Sequence, residues 1–342
     1  MKYIKFLLIT LAIACTAPKE NSEADSSEEK VLNVYSHRHY DADKQAFERF
    51  TKETGIEINL VKAGADELIN RLEMEGQNSP ADVLITVDAA KLNRAKSKGL
   101  LQPVDANTNN KPEFVDVENH WYAITYRARV VAFDREDVDI SELSTYEDLA
   151  SDKWKKRILI RSSSSSYNQS LLSSIIHENG PSAAQEWASG IVANMAREPK
   201  GGDRDQIKAI ASGVGDIAVV NTYYVGLLLN SENPEEVKVG ERVGIYFPNQ
   251  EDRGGHINIS GIGVTKYAPN KANAIKFIEF LTSKEIQEFY AATSFEYPVH
   301  KEVSPDSTIA AWGEFKIDNL DYAQKPELLE EAIRIFDEAG WN

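Results

Sequence analysis

From Val31 onward the chain alternates short apolar runs with amphipathic stretches, and this alternation limits the fold more than any other feature. VLNVYS reads as a strand, and DKQAFERFTKETG as a helix that lays Ala46, Phe47 and Phe50 on one face and stops at Gly55. IEINLVKA and ADVLITVD read as further strands, each followed by a helical stretch, ADELINRLEMEG and AAKLNRAKSKG. Strand and helix at this spacing predict a parallel α/β sheet. A second block opens with the long strand WYAITYRARVVAFD. It continues through a helix STYEDLASDKWK, a strand RILIRS, a helix around NQSLLSSIIHENG and a strand DIAVVN. HINISGIGVT then gives a strand, and ANAIKFIEFLTSKEIQEFYAATS one long amphipathic helix. Nothing repeats at a fixed period. The parts fit two α/β lobes with crossovers between them, a size that suits about 310 residues.

The residues before Val31 have a different character. MKYIKFLLITLAIA carries two early lysines and an apolar run ending in small residues, the layout of a signal peptide over 1–14 and too short to span a membrane as a helix. Cys15 follows and is the only cysteine, so neither an internal disulfide nor a thiolate cluster can form within one molecule. Its setting after Leu11-Ala12-Ile13-Ala14 resembles the lipobox of bacterial lipoproteins, although leucine is usual where Ala12 stands. An ordinary signal peptide with an incidental cysteine is the alternative. Residues 15–30 are polar, acidic and free of aromatics, as in a flexible, lipid-anchored tether. The net charge of −16 becomes −18 once Lys2 and Lys5 leave with the signal, which argues against nucleic acid as a partner.

Histidine and tyrosine gather at three points, each at the C-terminal end of a predicted strand, where open α/β sheets bind ligands. YSHRHYD offers His37, His39 and Tyr40. RSSSSSYNQS offers hydroxyl and amide donors from Ser162 to Ser166, with Tyr167 at a helix start. VVNTYYVG offers Tyr223 and Tyr224. In a regular strand these two would splay to opposite faces, so both can serve one site only if the chain leaves the strand there. Asn221 and Thr222 are good N-cap residues, and the tyrosines can open a helix. Each point alone has a plainer reading: amphipathic packing for Tyr40, a serine loop or cap, one tyrosine in the core and one at the surface.

Taken together, His39, Tyr40, Tyr167, Tyr223 and Tyr224 suit a hard cation of high charge. A phenol titrates near pH 10, so it binds as phenolate near neutrality only to a strong Lewis acid. Three phenolates neutralise Fe³⁺ and four leave a single excess charge, whereas four around Fe²⁺ leave more. Fe³⁺ is therefore the expected metal, with Fe²⁺ admissible where some phenols stay protonated.

In YSHRHYDAD, SPADVLITVDAAKLNRAKSKGLLQPV, WYAITYRARVVAFD, RSSSSSYNQSLL and GDIAVVNTYYVG the sequence resembles the ferric-ion-binding proteins of bacterial ABC transporters, from about Val31 to the C-terminus. The resemblance implies a two-lobed α/β periplasmic-binding-protein fold of type II with the ligand in the inter-lobe cleft. It implies iron held by Tyr223 and Tyr224, by Tyr40 with His39, and by Tyr167. It implies Arg127 and Arg129 of the RARV segment near the metal. Where some members of that family carry a glutamate after the PADV strand, Val87 stands here, which points to the tyrosine-rich subgroup. There Tyr167 takes the space an exogenous anion would occupy.

The expected organisation is an N-terminal lobe of 31–127 plus about 252–302 and a C-terminal lobe of about 128–251 plus 303–342. Crossover strands near 125–130 and 245–252 would act as hinge. The expected function is extracytoplasmic capture of iron by a monomer, held to the membrane only by lipid on Cys15, and delivery to an inner-membrane permease. Two rivals stand beside it. One is a binding protein of the same fold for an organic cation such as thiamine or a polyamine, with tyrosines stacked on the ligand. The other is a secreted enzyme using Tyr and His as acid and base, for which no HExxH, GxSxG or P-loop motif is present.

Overall fold

The computed structural model describes residues 30–342 apart from 321, 322 and 324, so the signal segment, Cys15 and nearly all of the tether lie outside the described residues. In chain order the first elements are β1 (Val31–Ser36), α1 (Asp41–Thr54), β2 (Glu57–Lys62), α2 (Ala65–Glu75), β3 (Val83–Thr86), α3 (Ala89–Ser97) and β4 (Tyr122–Asp134). Next come β5 (Ile158–Leu159), α4 (Ser166–Asn194), α5 (Asp203–Ala211), β6 (Ile217–Asn221), α6 (Thr222–Leu229), α7 (Pro234–Arg242) and β7 (Val243–Tyr246). The chain closes with β8 (Ile257–Val264), α8 (Lys271–Leu281), α9 (Lys284–Ser294), β9 (Tyr297–Pro298), α10 (Ser307–Ala310) and α11 (Pro326–Ala339).

The strands run in the order β2-β1-β3-β8-β4-β6-β5, with β7 and β9 also paired to β4. The sheet is mixed, not parallel as the alternation predicts. β1 is parallel to β2 and β3, but β8 is inserted antiparallel between β3 and β4. The rule for strand–helix–strand units does not reach β8, because the chain arrives there from the other half: β7, antiparallel to β4 like β8, leads into it through a loop, and no crossover helix links β3 to β8.

β4 holds the molecule together. Its first half pairs with β8 up to Ala128↔Ile257, and from Arg129↔Asn221 its second half pairs with β6. One strand therefore enters both halves of the two-lobed type II fold. The first half buries Phe47, Phe50, Phe277 and Tyr290 between its sheet and the helices α1, α8 and α9. The second buries Trp154, Trp187 and Trp341 among β5, β6, α4 and α11.

Three local expectations are corrected. STYEDLASDKWK forms two 3₁₀ turns, Glu147–Ala150 and Asp152–Trp154, because its buried residues Tyr146, Leu149 and Trp154 are spaced three and then five apart and make no helical stripe. In RILIRS only Ile158–Leu159 is strand. The predicted long helix divides into α8 and α9 at Thr282–Ser283, where the Ser283 hydroxyl caps the second helix at the Ile286 amide.

Candidate metal centre

The three tyrosine-bearing points come together across the junction of the two halves. Tyr40 is the N-cap residue of α1, directly after the turn that leaves β1. Tyr167 is the second residue of α4, behind the serine run. The chain leaves the strand β6 at Asn221 and enters α6 at Thr222, so Tyr223 and Tyr224 are consecutive helical residues with ring centroids 4.0 Å apart. The hydroxyls of Tyr40 and Tyr167 are 3.0 Å apart, and Tyr223 donates to the Tyr40 hydroxyl at 3.3 Å. His39 is exposed, with its ring centroid 5.1 Å from that of Tyr40.

Burial raises the phenols of Tyr40 and Tyr223 well above their ordinary range, and the negative charge that Tyr167 would carry raises both further. Tyr224 is raised by burial and then by Tyr167 and Asp203, with Tyr223 and Arg161 pulling back. Phenols so placed stay protonated in water near neutrality and give up their protons only to a strongly charged metal. The two arginines of β4 are fully buried rather than solvated. Their Cζ atoms lie 5.3 and 5.7 Å from the Tyr167 ring centroid, Arg127 and Arg129 respectively.

Each of these arginines also ties elements to the site. Arg129 donates to Asp203 and to Asn168 at 2.7 Å, and to the Asn221 side chain at 3.3 Å. It thereby joins the starts of α4 and α5 to the end of β6; Tyr167 stands at the start of α4, and Tyr223 and Tyr224 on α6 directly after β6. Arg127 bonds Ser260 at 2.5 Å, Glu296 at 3.3 Å and the Val87 carbonyl. Burial disfavours its charge, but Tyr40, Tyr167 and Glu296 outweigh that and raise it.

The sequence profile of the bacterial extracellular solute-binding proteins matches residues 78–326. Iron uptake protein A1 of Synechocystis sp. is 46% identical over 335 residues, 97% of this chain and 93% of that protein. This chain belongs to the bacterial extracellular solute-binding protein family. Among solved structures, the ferric binding protein from Campylobacter jejuni is 44% identical and superposes with a TM-score of 0.87 over 91% of this chain and 100% of its own. The Trichodesmium protein IdiA (FutA), in complex with iron and citrate, is 47% identical with a TM-score of 0.83 over 91% of this chain and 100% of its own.

In this solute-binding protein the sequence reading missed three groups at the site. Arg161, the first residue of the serine stretch, has its Cζ 5.4 Å from the Tyr167 centroid, and nothing in RSSSSS distinguishes it from a loop arginine. Arg38 has its Cζ 4.6 Å from the Tyr40 centroid, and its place inside RHY was a signal that could have found it. Glu296 comes from far along the chain and lines a cavity of about 300 Å³ with His39, Tyr40, Arg204, Tyr223 and Tyr224. A second cavity of about 300 Å³ lies on the other side of His39 and Tyr224, bounded by His37, Val87, Arg161 and Ser164–Ser166. Val87 thus does lie at the site, through its carbonyl and an apolar side chain. His37 is driven down to about 4 by burial and then by His39, Lys91 and Arg127, so it is neutral near pH 7.

Proposed function

We propose that this protein captures ferric iron outside the cytoplasm and delivers it to the permease of an ABC importer. The observation that carries this reading is the convergence at the Tyr40 hydroxyl, which lies within hydrogen-bond distance of the hydroxyls of both Tyr167 and Tyr223, with Tyr224 beside them. Fe³⁺ is the cargo, and Tyr40, Tyr167, Tyr223, Tyr224 and His39 are its ligands. In four of the five the donor is phenolate oxygen, which suits a hard cation of high charge.

The rival reading as an organic-cation binder needs free ring faces. Arg38 lies on Tyr40, three guanidiniums surround Tyr167, and Tyr223 and Tyr224 face each other, so it is the oxygens that remain for a ligand. The role is capture and not turnover.

The lobes are assigned as 31–127 plus about 252–302 and about 128–251 plus 303–342, in keeping with the change of partner on β4 between Ala128 and Arg129. Closure about the crossover strands brings His39 and Tyr40 onto Tyr167, Tyr223 and Tyr224. The protein acts as a monomer, tethered through lipid on Cys15. Among the described residues no helix is long and apolar enough to cross a membrane. Release to the permease is driven by reduction to Fe²⁺, a poorer match for phenolate, or by protonation of the ligands.

The test is a metal titration. Wild-type protein loaded with Fe³⁺ turns orange to red through phenolate-to-iron charge transfer, and Tyr223→Phe and Tyr224→Phe each weaken binding at least tenfold, roughly the loss of one charged ligand. A colourless ferric-loaded protein, or unchanged binding in both variants, would refute the assignment.

A further inference from the structure

We infer that Arg38 is a positioning residue for iron binding: clamped by two carboxylates, its guanidinium holds the Tyr40 ring in place and stabilises the electrons that this phenolate offers to the metal. The inference rests on the ferric reading above and extends it to a residue that does not itself touch the metal.

The clamp is complete. Nε of Arg38 donates to both oxygens of Asp43 at 2.9 and 3.1 Å, Nη1 to Thr125 at 3.0 Å and to Glu296 at 3.3 Å, and Nη2 to Glu296 at 2.9 Å. Its three anchors come from α1, from β4 and from the link between α9 and β9. Asp43 is held in turn by the Tyr290 hydroxyl at 3.1 Å. A side chain bonded at all three guanidinium nitrogens cannot swing, and Tyr40, whose centroid is 4.6 Å from Cζ, is registered against it.

Charge and cost point the same way. Arg38 and Arg127 share Glu296, and with Asp43 the cluster holds two guanidiniums and two carboxylates, so it closes on itself without external charge. Burying four ions is expensive, and well-packed apolar residues commonly do as well for stability. What they could not supply is a fixed, planar cation against the ring of a ligand, an arrangement for which Arg is suited and Lys is not. The same clamp engages both oxygens of Glu296, a hard-oxygen donor bordering the site, and keeps this carboxylate occupied with guanidinium.

A positive charge on the ring face lowers the energy of the phenolate electrons and so raises the energy of their transfer to Fe³⁺. In the full ferric-loaded chain, Arg38→Lys keeps a charge but cannot span Asp43 and Glu296. Its visible band is expected at longer wavelength than wild type, with iron released several-fold faster to excess EDTA. Glu296→Gln removes the carboxylate that offsets Arg38, and its band is expected to move to shorter wavelength. Opposite displacements separate this role from a structural one, which would lower the melting temperature and leave the band in place. If Arg38→Lys does not fold, the Glu296→Gln band decides. Wild-type band positions and release rates in the folded variants would overturn the inference, whereas a wild type with no ferric band would overturn the ferric reading itself.

Discussion

A phenol packed among other phenols and partly withdrawn from water holds its proton tightly, and this sets the pH dependence of iron capture. Tyr40, Tyr223 and Tyr224 are all raised above the ordinary value near 10, first by burial. In the metal-free protein they are therefore protonated throughout the physiological range. On the proposed ligand set iron binding expels those protons, so the complex is favoured as pH rises and lost as it falls. Each proton released weakens apparent affinity roughly tenfold per unit of acidification. Ferric titrations between about pH 6 and 8 are expected to show a slope of two or more protons per iron, and calorimetry in buffers of different ionisation heat gives the same count. A flat profile would mean the phenols bind without losing protons. At this scale the sequence was most informative for tyrosines, because RHY, SSSSSY and TYY each sit at a strand end. It was silent on Glu296, whose role depends on Arg38 and Arg127 meeting it from 258 and 169 residues away in the chain.

At the level of elements, the site is a set of chain termini tied to one strand. Arg129 on β4 reaches the starts of α4 and α5 and the end of β6, and Asp203 on α5 accepts both from it and from the Asn221 amide at 2.8 Å. Arg129→Met would leave Asp203 buried with only the more distant Arg161, 3.7 Å away, to offset it. The expected cost is about 3–5 kcal/mol in chemical denaturation, together with weaker ferric binding as Tyr167 and the tyrosine pair lose their common anchor. Denaturation at the wild-type midpoint would show that the tie is dispensable. The elements themselves were legible where a pattern ran long enough, as with the 13 residues of β4. They were misread where it did not. The 3₁₀ turns around Trp154 bury Tyr146, Leu149 and Trp154 at spacings that match no single period, and the break between α8 and α9 turns on the hydroxyl cap of Ser283, a signal easily lost inside a continuous apolar stripe.

For the whole molecule, closure depends on how nearly the halves can approach beside the metal centre. Gly226, in α6 two residues after Tyr224, faces Phe295 of the other half, and a Cβ there would come within 2.7 Å of the Phe295 Cβ. Gly226→Val would wedge the halves apart while the core of each stays intact. Small-angle scattering is expected to show wild type compacting on ferric loading and the variant failing to do so, with ferric affinity lowered at least tenfold, about 1.4 kcal/mol. Full compaction in the variant would show that Phe295 yields. The two-lobed plan was visible in the sequence through its resemblance to ferric-ion-binding proteins. The antiparallel insertion of β8 was not, because it depends on the chain coming back from the other half, which leaves no mark on residue periodicity.

That insertion has a consequence for how the chain becomes a protein. β8 lies between β3 and β4, with α8 and α9 covering the sheet that begins at β1. A chain emerging from its N-terminus thus presents Tyr40 before the other tyrosines of the site, yet cannot seat it until Glu296 has emerged to complete the Arg38 clamp. Contacts of such sequence separation form late and slowly. The earliest tyrosine of the proposed site is thus among the last to be seated, and the site is complete only when the sheet is.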